Sequence, residues 1–234
     1  EWRVYPDGLL ERPGFVPMPS DIRREGNGSA HLFGDGSLEG KPYRFMLDTG
    51  SPHMVSLSSR TVRDSGLWNS DRPWTPMRPS GIGGKAKLAR IMRLDALTLG
   101  PLRFERPLVV LNDPNGENGP AADGVIGLQI LRQMNLATDV RGDKLWVQRS
   151  KIPAPPERYG MSGIWFDEDG GARVAAVGRG SPAEAAGVRV GDVAAEPLQS
   201  AMRKIIGPPG QAVSLTLKRS GQQIPVSFVL KPYL

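Results

Sequence analysis

The sequence predicts a mainly β protein built in two folded parts, and three observations carry that expectation. Glycine and proline are abundant, 29 and 22 of the 234 residues, which suits a chain of short strands joined by tight turns. Apolar residues come in short stretches bounded by turn residues rather than in long helical stripes. A stiff segment, Ile152-Pro153-Ala154-Pro155-Pro156-Glu157, divides the pattern and reads as a linker. The expected organisation is an N-terminal arm over 1–26, a first domain over 27–150, the linker over 151–157 and a second domain over 158–234.

The arm mixes Trp2, Val4 and Tyr5 with prolines and reads as extended, with one short strand. From Ser29 to Asp48 the pattern is a hairpin. One strand runs through Ala30-His31-Leu32-Phe33, turn residues follow at Gly34-Asp35-Gly36 and Glu39-Gly40-Lys41-Pro42, and a second strand, Tyr43-Arg44-Phe45-Met46-Leu47, leads to Asp48. A glycine-tipped hairpin spans Trp74 to Met92, with Gly81-Ile82-Gly83-Gly84 at its tip. Further strands are expected at 94–99, 102–104 and 107–111, and a polar loop at 112–120. A short helix is expected from Leu128 to Met134, with Leu128, Leu131 and Met134 on one stripe, followed by a strand pair at 137–140 and 144–148. Beyond the linker, strands are expected at 164–166, 172–177, 213–218 and 224–230, with short helices at 182–186 and 197–206.

Composition limits the chemistry. There is no cysteine, which excludes disulfides, thiolate nucleophiles and Cys-ligated zinc. His31 and His53 stand alone without metal partners and read as surface or packing residues. No apolar run reaches the length of a membrane span. The net charge of +6 comes from scattered Lys and Arg with no recognition motif, so it reads as a solvated basic surface and not a nucleic-acid site. The first residue is Glu1, not Met, which fits a processed or shortened form with a leader or anchor upstream.

The most informative motif is Asp48-Thr49-Gly50-Ser51 at the end of an apolar strand. Gly50 permits a tight turn whose amides can hold a carboxylate. Three further elements follow in order: the Gly81-Ile82-Gly83-Gly84 tip, the triplet Val125-Ile126-Gly127, and a short helix immediately after it. Together, over 27–149, they resemble the bacterial retropepsin-like aspartic proteases, related to the pepsin and retroviral enzymes. The resemblance implies an acid-protease β-barrel lobe with Asp48 as the catalytic carboxylate. It implies that Thr49, Gly50 and Ser51 form the active-site loop and that Gly81 to Gly84 form a flap. Val125, Ile126 and Gly127 would support the loop from beneath.

That chemistry needs two carboxylates sharing one proton, because like charges so close cannot both ionise. One removes a proton from a bridging water while the other, protonated, polarises the scissile carbonyl. The sequence holds no second Asp-Thr-Gly. Asp35 sits in an expected turn, Asp123 precedes the apolar triplet, and Asp139 is followed by Val140-Arg141. A homodimer, each copy donating one Asp48, is therefore expected. Protein or peptide is the expected substrate, and no cofactor is called for.

Residues 158–234 resemble a PDZ domain, a β-sandwich with short helices of the kind appended to bacterial periplasmic proteases. The carrying residues run from Val177 through Gly180-Ser181-Pro182-Ala183 to Gly187-Val188 and Gly191-Asp192-Val193; Ala194-Ala195-Glu196 replaces the family's usual Asn-Gly turn. Ser181 is suited to cap a helix with Pro182 at its first position, and Gly187 to end it. The resemblance implies capture of a C-terminal peptide strand. Tyr159, Gly160, Met161, Ser162 and Gly163 would form the carboxylate-binding loop, with Ile164, Leu198 and Met202 lining the groove. It also implies a periplasmic or membrane-anchored address. Two functions remain open from the sequence: a dimeric aspartic endopeptidase whose PDZ domain recruits or gates substrates, and a non-catalytic adaptor with an inactive or monomeric protease-like lobe.

Overall fold

The computed structural model describes residues 14–24, 26, 30–79, 86–116, 122–139, 141–167 and 171–234. They are mainly strands and gather into two compact units. The first takes the chain up to Gly66 together with Leu94–Val110 and Pro114–Pro156; the second takes Leu67–Arg93, Leu111–Asp113 and Glu157–Leu234. Among the described residues no helix is long and apolar enough to cross a membrane.

The first unit begins with β1 (Val16–Met18), β2 (Ser20–Arg24), β3 (Ala30–Leu38), β4 (Lys41–Leu47), β5 (Val55–Leu57) and α1 (Ser59–Ser65). β6 (Trp74–Met77) and β7 (Ala89–Arg93) belong to the second unit. The first resumes with β8 (Ala96–Leu99), β9 (Leu102–Glu105), β10 (Leu108–Leu111), β11 (Gly124–Ile126), α2 (Leu128–Leu131), β12 (Met134–Asp139) and β13 (Lys144–Arg149). Its main sheet runs in the order β10-β5-β11-β4-β3-β8-β9, with β2 also on β3, and a separate small sheet has the order β1-β13-β12. Phe45, Leu57, Leu97, Leu99, Ile126, Ile130 and Leu145 form its fully buried interior.

The β3–β4 hairpin closes on the pair Leu38↔Lys41, with Glu39 (φ 51°) and Gly40 (φ 80°) both left-handed. Two left-handed central residues make the tight turn whose twist matches the strands it joins. The expected break at Gly34-Asp35-Gly36 is not a turn. β3 runs straight through it, paired to β4 on one side and to β2 and β8 on the other. Gly36 is glycine because a Cβ there would overlap the Thr98 carbonyl oxygen and lie 2.8 Å from Leu99 Cδ2. These glycines mark close approach, not reversal.

The helix expected over 128–134 is a single turn, Leu128–Leu131. Met134 instead opens β12, buried and paired with Arg149, while Gln133 O accepts from Ser150 N–H (2.8 Å). One helical turn has few internal bonds, and the six-pair ladder of β12 with β13 prevails. α1 carried no earlier expectation. Ser58 caps it by accepting from Thr61 N–H (3.2 Å), and left-handed Gly66 (φ 75°) ends it.

In the second unit β6 and β7 form a hairpin with Trp74 opposite Met92 and Met77 opposite Ala89. It continues with β14 (Ile164–Asp167), β15 (Arg173–Val177), α3 (Pro182–Ala185), β16 (Val193–Ala194), α4 (Leu198–Ile205), β17 (Ala212–Arg219) and β18 (Gln222–Val229). Among the described residues β14 to β18 form one antiparallel sheet in sequence order, with β14 at one edge. Phe166, Val174, Ala183, Ala201, Leu215, Leu217 and Leu230 pack beneath α3 and α4. Ser181 accepts from Glu184 N–H (3.1 Å) with Pro182 at the first turn of α3, and Gly187 past its end is left-handed (φ 80°). Buried Asp192 holds the unit's main internal ion pair, accepting from Arg219 Nε and Nη2 (both 2.7 Å) and from Arg189 N–H (2.8 Å).

Candidate active site

Asp48 stands at the end of β4, whose Phe45 is fully buried and anchors the strand in the core. Its backbone N–H donates to Ile126 O (3.0 Å), and its Oδ1 accepts from Gly50 N–H (2.8 Å). Ser51 N–H returns to Asp48 O (3.3 Å), closing the turn. The carboxylate is thus held by an amide two residues ahead, while Thr49 and Gly50 are exposed and Asp48 is half-buried.

β11 builds the floor. It lies between β4, parallel with Val125 opposite Met46, and β5, antiparallel with Val125 opposite Ser56. The loop from Asp48 to Met54 joins those two outer strands, so the middle strand seals its base. Gly127 N–H donates to Met54 O (2.9 Å), Leu128 N–H to Ser51 O (2.8 Å) and Gln129 N–H to His53 O (3.4 Å). Glycine is required at 127 by proximity: a Cβ would sit 2.8 Å from Ser51 O, 2.9 Å from Ser51 Oγ and closer still to His53 O. Gly124 is similarly hemmed in, against Ser56 O.

The three other aspartates weighed from the sequence are each engaged elsewhere. Asp35 faces Arg44 (3.6 Å), which also pairs with Asp21. Asp123 is a structural clasp: Oδ2 accepts from Arg44 N–H (2.8 Å), its own N–H donates to Arg44 O (2.8 Å), and its carbonyl accepts from Ser58 N–H (2.9 Å). Asp139 accepts from the Arg141 and Gly142 amides of its own turn (3.0 and 2.9 Å). None of them is spare to serve as the second acid.

Asp48, Thr49, Gly50, Ser51, Val125, Ile126 and Gly127 therefore meet in one place, while Gly81, Ile82, Gly83 and Gly84 lie outside the described residues. Sequence reasoning passed over Gln129 and read His53 only as a surface or packing residue. Gln129 Nε2 donates to Pro52 O (2.8 Å) and ties α2 to the loop. His53 is half-buried, and burial pushes its imidazole pKa below the ordinary 6.5. Only the position of Gln129 two residues after Gly127 hinted at the first, and nothing in the sequence signalled the second.

In the second unit the residues read as a peptide site lie on the 159–163 loop, β14 and α4. The loop's own groups are largely spoken for. Gly163 N–H donates to Gly160 O (3.2 Å), Ile164 N–H to Ser162 Oγ (3.2 Å), and Ser162 O accepts from Ala183 N–H (3.2 Å). Tyr159 OH accepts from the Tyr233 and Leu234 amides (3.0 and 3.2 Å). Met161 and Leu198 pack against the unit's core, while Met202 is exposed.

Residues 35–130 match the family described as aspartyl protease. That span opens on β3, contains Asp48 and ends within α2. Among solved structures, a retropepsin-like aspartic protease from Rickettsia conorii is similar over 57% of this chain and 89% of its own, at 17% identity and a TM-score of 0.40. A search of curated proteins returns no match.

Proposed function

We propose that this protein is an aspartic endopeptidase in which two copies each contribute Asp48, with a PDZ-type module that recruits or gates protein substrates. The observation carrying the proposal is the Asp48 turn: a carboxylate delivered by a buried strand, held by Gly50 N–H, and floored by a strand threaded between the two that flank its loop. The aspartyl protease match over 35–130 supports the same reading.

In the assembled site the two Asp48 carboxylates share a proton and hold a water. The ionised one takes a proton from that water, which attacks the peptide carbonyl; the protonated one donates to the developing oxyanion. The proton then passes to the leaving amine. The pair titrates as a unit, so activity is expected at acid to mildly acid pH. The engagement of Asp35, Asp123 and Asp139 elsewhere supports assembly, as does Asp64 of the chain's Asp-Ser-Gly, which lies exposed in the last turn of α1 and not in a strand-end turn like that of Asp48. The antiparallel sheet with β14 at its edge and α4 beside it supports the PDZ reading. A periplasm-facing address goes with that reading.

Asp48→Asn tests it. The variant is expected to keep the wild-type circular dichroism and lose cleavage of a denatured protein across pH 4 to 7. Equal cleavage by the variant would remove the assignment. The adaptor reading keeps one point in its favour, the single Asp48, and predicts a strict monomer by sedimentation with no activity in that range.

A further inference from the structure

We infer that the second unit carries a carboxylate-binding pocket in which Arg90 and Arg179 take the acid group of a ligand, either a small carboxylic acid or an acidic residue of a peptide. Its residues all belong to the second unit, so the pocket does not depend on the role of Asp48 in the first.

Register places the first two side chains. Arg90 lies opposite Pro76, so Trp74, two residues back along β6, is its diagonal neighbour on the same face of the hairpin. A single tight helical turn, Leu67–Asn69, supplies Trp68. The Arg90 guanidinium lies over both indoles, 4.0 Å from the centre of the Trp68 ring and 4.1 Å from that of Trp74. Trp74 N–H donates to Arg179 O (3.2 Å), which ties Arg179 to the same place. With Val177 and Glu184 these residues line a cavity of about 320 Å³.

Cation–π contact accounts for one guanidinium against two indoles. It does not account for a second guanidinium beside the first. Burial and then the Arg179 charge push the Arg90 pKa down, and Asp113 offsets them only in part. Arg90 donates through Nη1 to Trp68 O (2.5 Å) and pairs with no carboxylate among the described residues. The indoles hold its planar fork in one orientation, so little rotamer freedom is left to lose when an acceptor arrives. Arg179 is engaged by Ser70 O (3.3 Å) and by Asp71, whose side chain is fully exposed. An ion pair so exposed contributes little, and an incoming carboxylate can replace it. Glu184 is occupied by Gly180 N–H (2.6 Å). Asp71 and Glu184 already place two negative charges near the two guanidiniums. A singly charged acid therefore suits the pocket better than a doubly charged phosphate.

The test uses the full chain with acetate, the N-acetyl α-amide of glutamate and inorganic phosphate as probes. Calorimetry and the Trp68 and Trp74 indole N–H signals in NMR read binding. Saturable binding of a carboxylate probe is expected, with both indole signals moving. Arg179→Gln, at the exposed rim, is expected to weaken it about tenfold. Asp71→Asn is expected to tighten it about two- to fivefold by releasing Arg179. Arg90→Lys keeps the charge but loses the planar fork, and is expected to abolish saturable binding. If that variant loses the wild-type circular dichroism, the two rim variants decide. Tighter binding of the glutamate compound than of acetate assigns the acid to a peptide, and equal binding assigns it to a small carboxylic acid. No saturable binding, or binding that Arg179→Gln and Asp71→Asn leave unchanged, overturns the pocket. Phosphate binding tighter than either carboxylate overturns the assignment to a carboxylate.

Discussion

Gly127→Ala isolates the packing beneath the Asp48 loop from every other effect of the residue. Gly127 has φ −95° and ψ −178°, a conformation open to alanine. On backbone grounds alone the change would stabilise by about 0.4–1 kcal/mol, by narrowing the unfolded ensemble. The added methyl group reverses that sign. It would lie 2.8 Å from Ser51 O, 2.9 Å from Ser51 Oγ and nearer still to His53 O. The two carbonyls cannot simply yield, because Ser51 O is bonded to Leu128 N–H (2.8 Å) and His53 O to Gln129 N–H (3.4 Å). Overpacking against backbone belongs near the top of the usual range, about 3 kcal/mol, so the net loss is about 2 kcal/mol. For a chain of this size that lowers Tm by about 4–8 °C. Relief of the clash must push β11 away from the loop, and a shift of about 1 Å at a catalytic group costs on the order of a hundredfold in rate. Thermal melting by circular dichroism and cleavage of a short peptide read the two effects. A Tm equal to or above wild type, with cleavage unchanged, would refute the claim that β11 seals the loop.

Asp123→Ala should destabilise the first unit by about 1–2 kcal/mol in urea unfolding, because the Arg44 amide loses its acceptor; Asp123→Asn should recover at least half, since its exposed pairing with Arg60 contributes little. Asp192→Asn should destabilise the second unit by about 1–2 kcal/mol by weakening its charge-assisted hydrogen bonds with Arg219, which stays bonded to Gly187 O. Burial alone would raise the Asp192 pKa, but the Arg219 and Arg189 hydrogen bonds outweigh it and hold it below 3.8. Its contribution is therefore present above that pH and lost as pH falls through the folded value, so the mutant's deficit should shrink in acid denaturation curves. His53 also has a lowered folded pKa, so the unfolded chain binds more protons near pH 6. The first unit should lose stability as pH falls below about 6.5, and His53→Gln should flatten that part of the melting-temperature profile.

The strand leading to Asp48 and the cap of α3 were legible because each rests on local chemistry, while the Val125-Ile126-Gly127 floor was expected only from the family resemblance. Alternation, a turn glycine or a capping serine is written within a few residues. The readings that failed share a cause. Gly34 and Gly36 look like turn residues until the Met18 side chain is brought against the first and β8 against the second, and only those approaches explain their missing side chains. Met134 continues a helical stripe until β13 offers it a ladder. α1 and β5 are short and were not anticipated, since their stability comes from burying Val62, Val55 and Leu57 in a core supplied by distant strands.

Asp48-Thr49-Gly50-Ser51 by itself set the chemistry on offer: one carboxylate and a turn able to hold it. The lack of a second Asp-Thr-Gly pointed, from sequence alone, to assembly. Tertiary structure decided what surrounds that carboxylate. It inserted β11 between β4 and β5 and assigned Asp123 to clasping Arg44. It also drew the 67–93 segment into one unit with residues beyond 157, where Tyr233 reaches Trp74 across more than 150 positions. Such pairings join residues far apart in the chain, and they form only when burial and hydrogen bonding together outweigh the entropy of bringing those residues together. No local pattern records that balance.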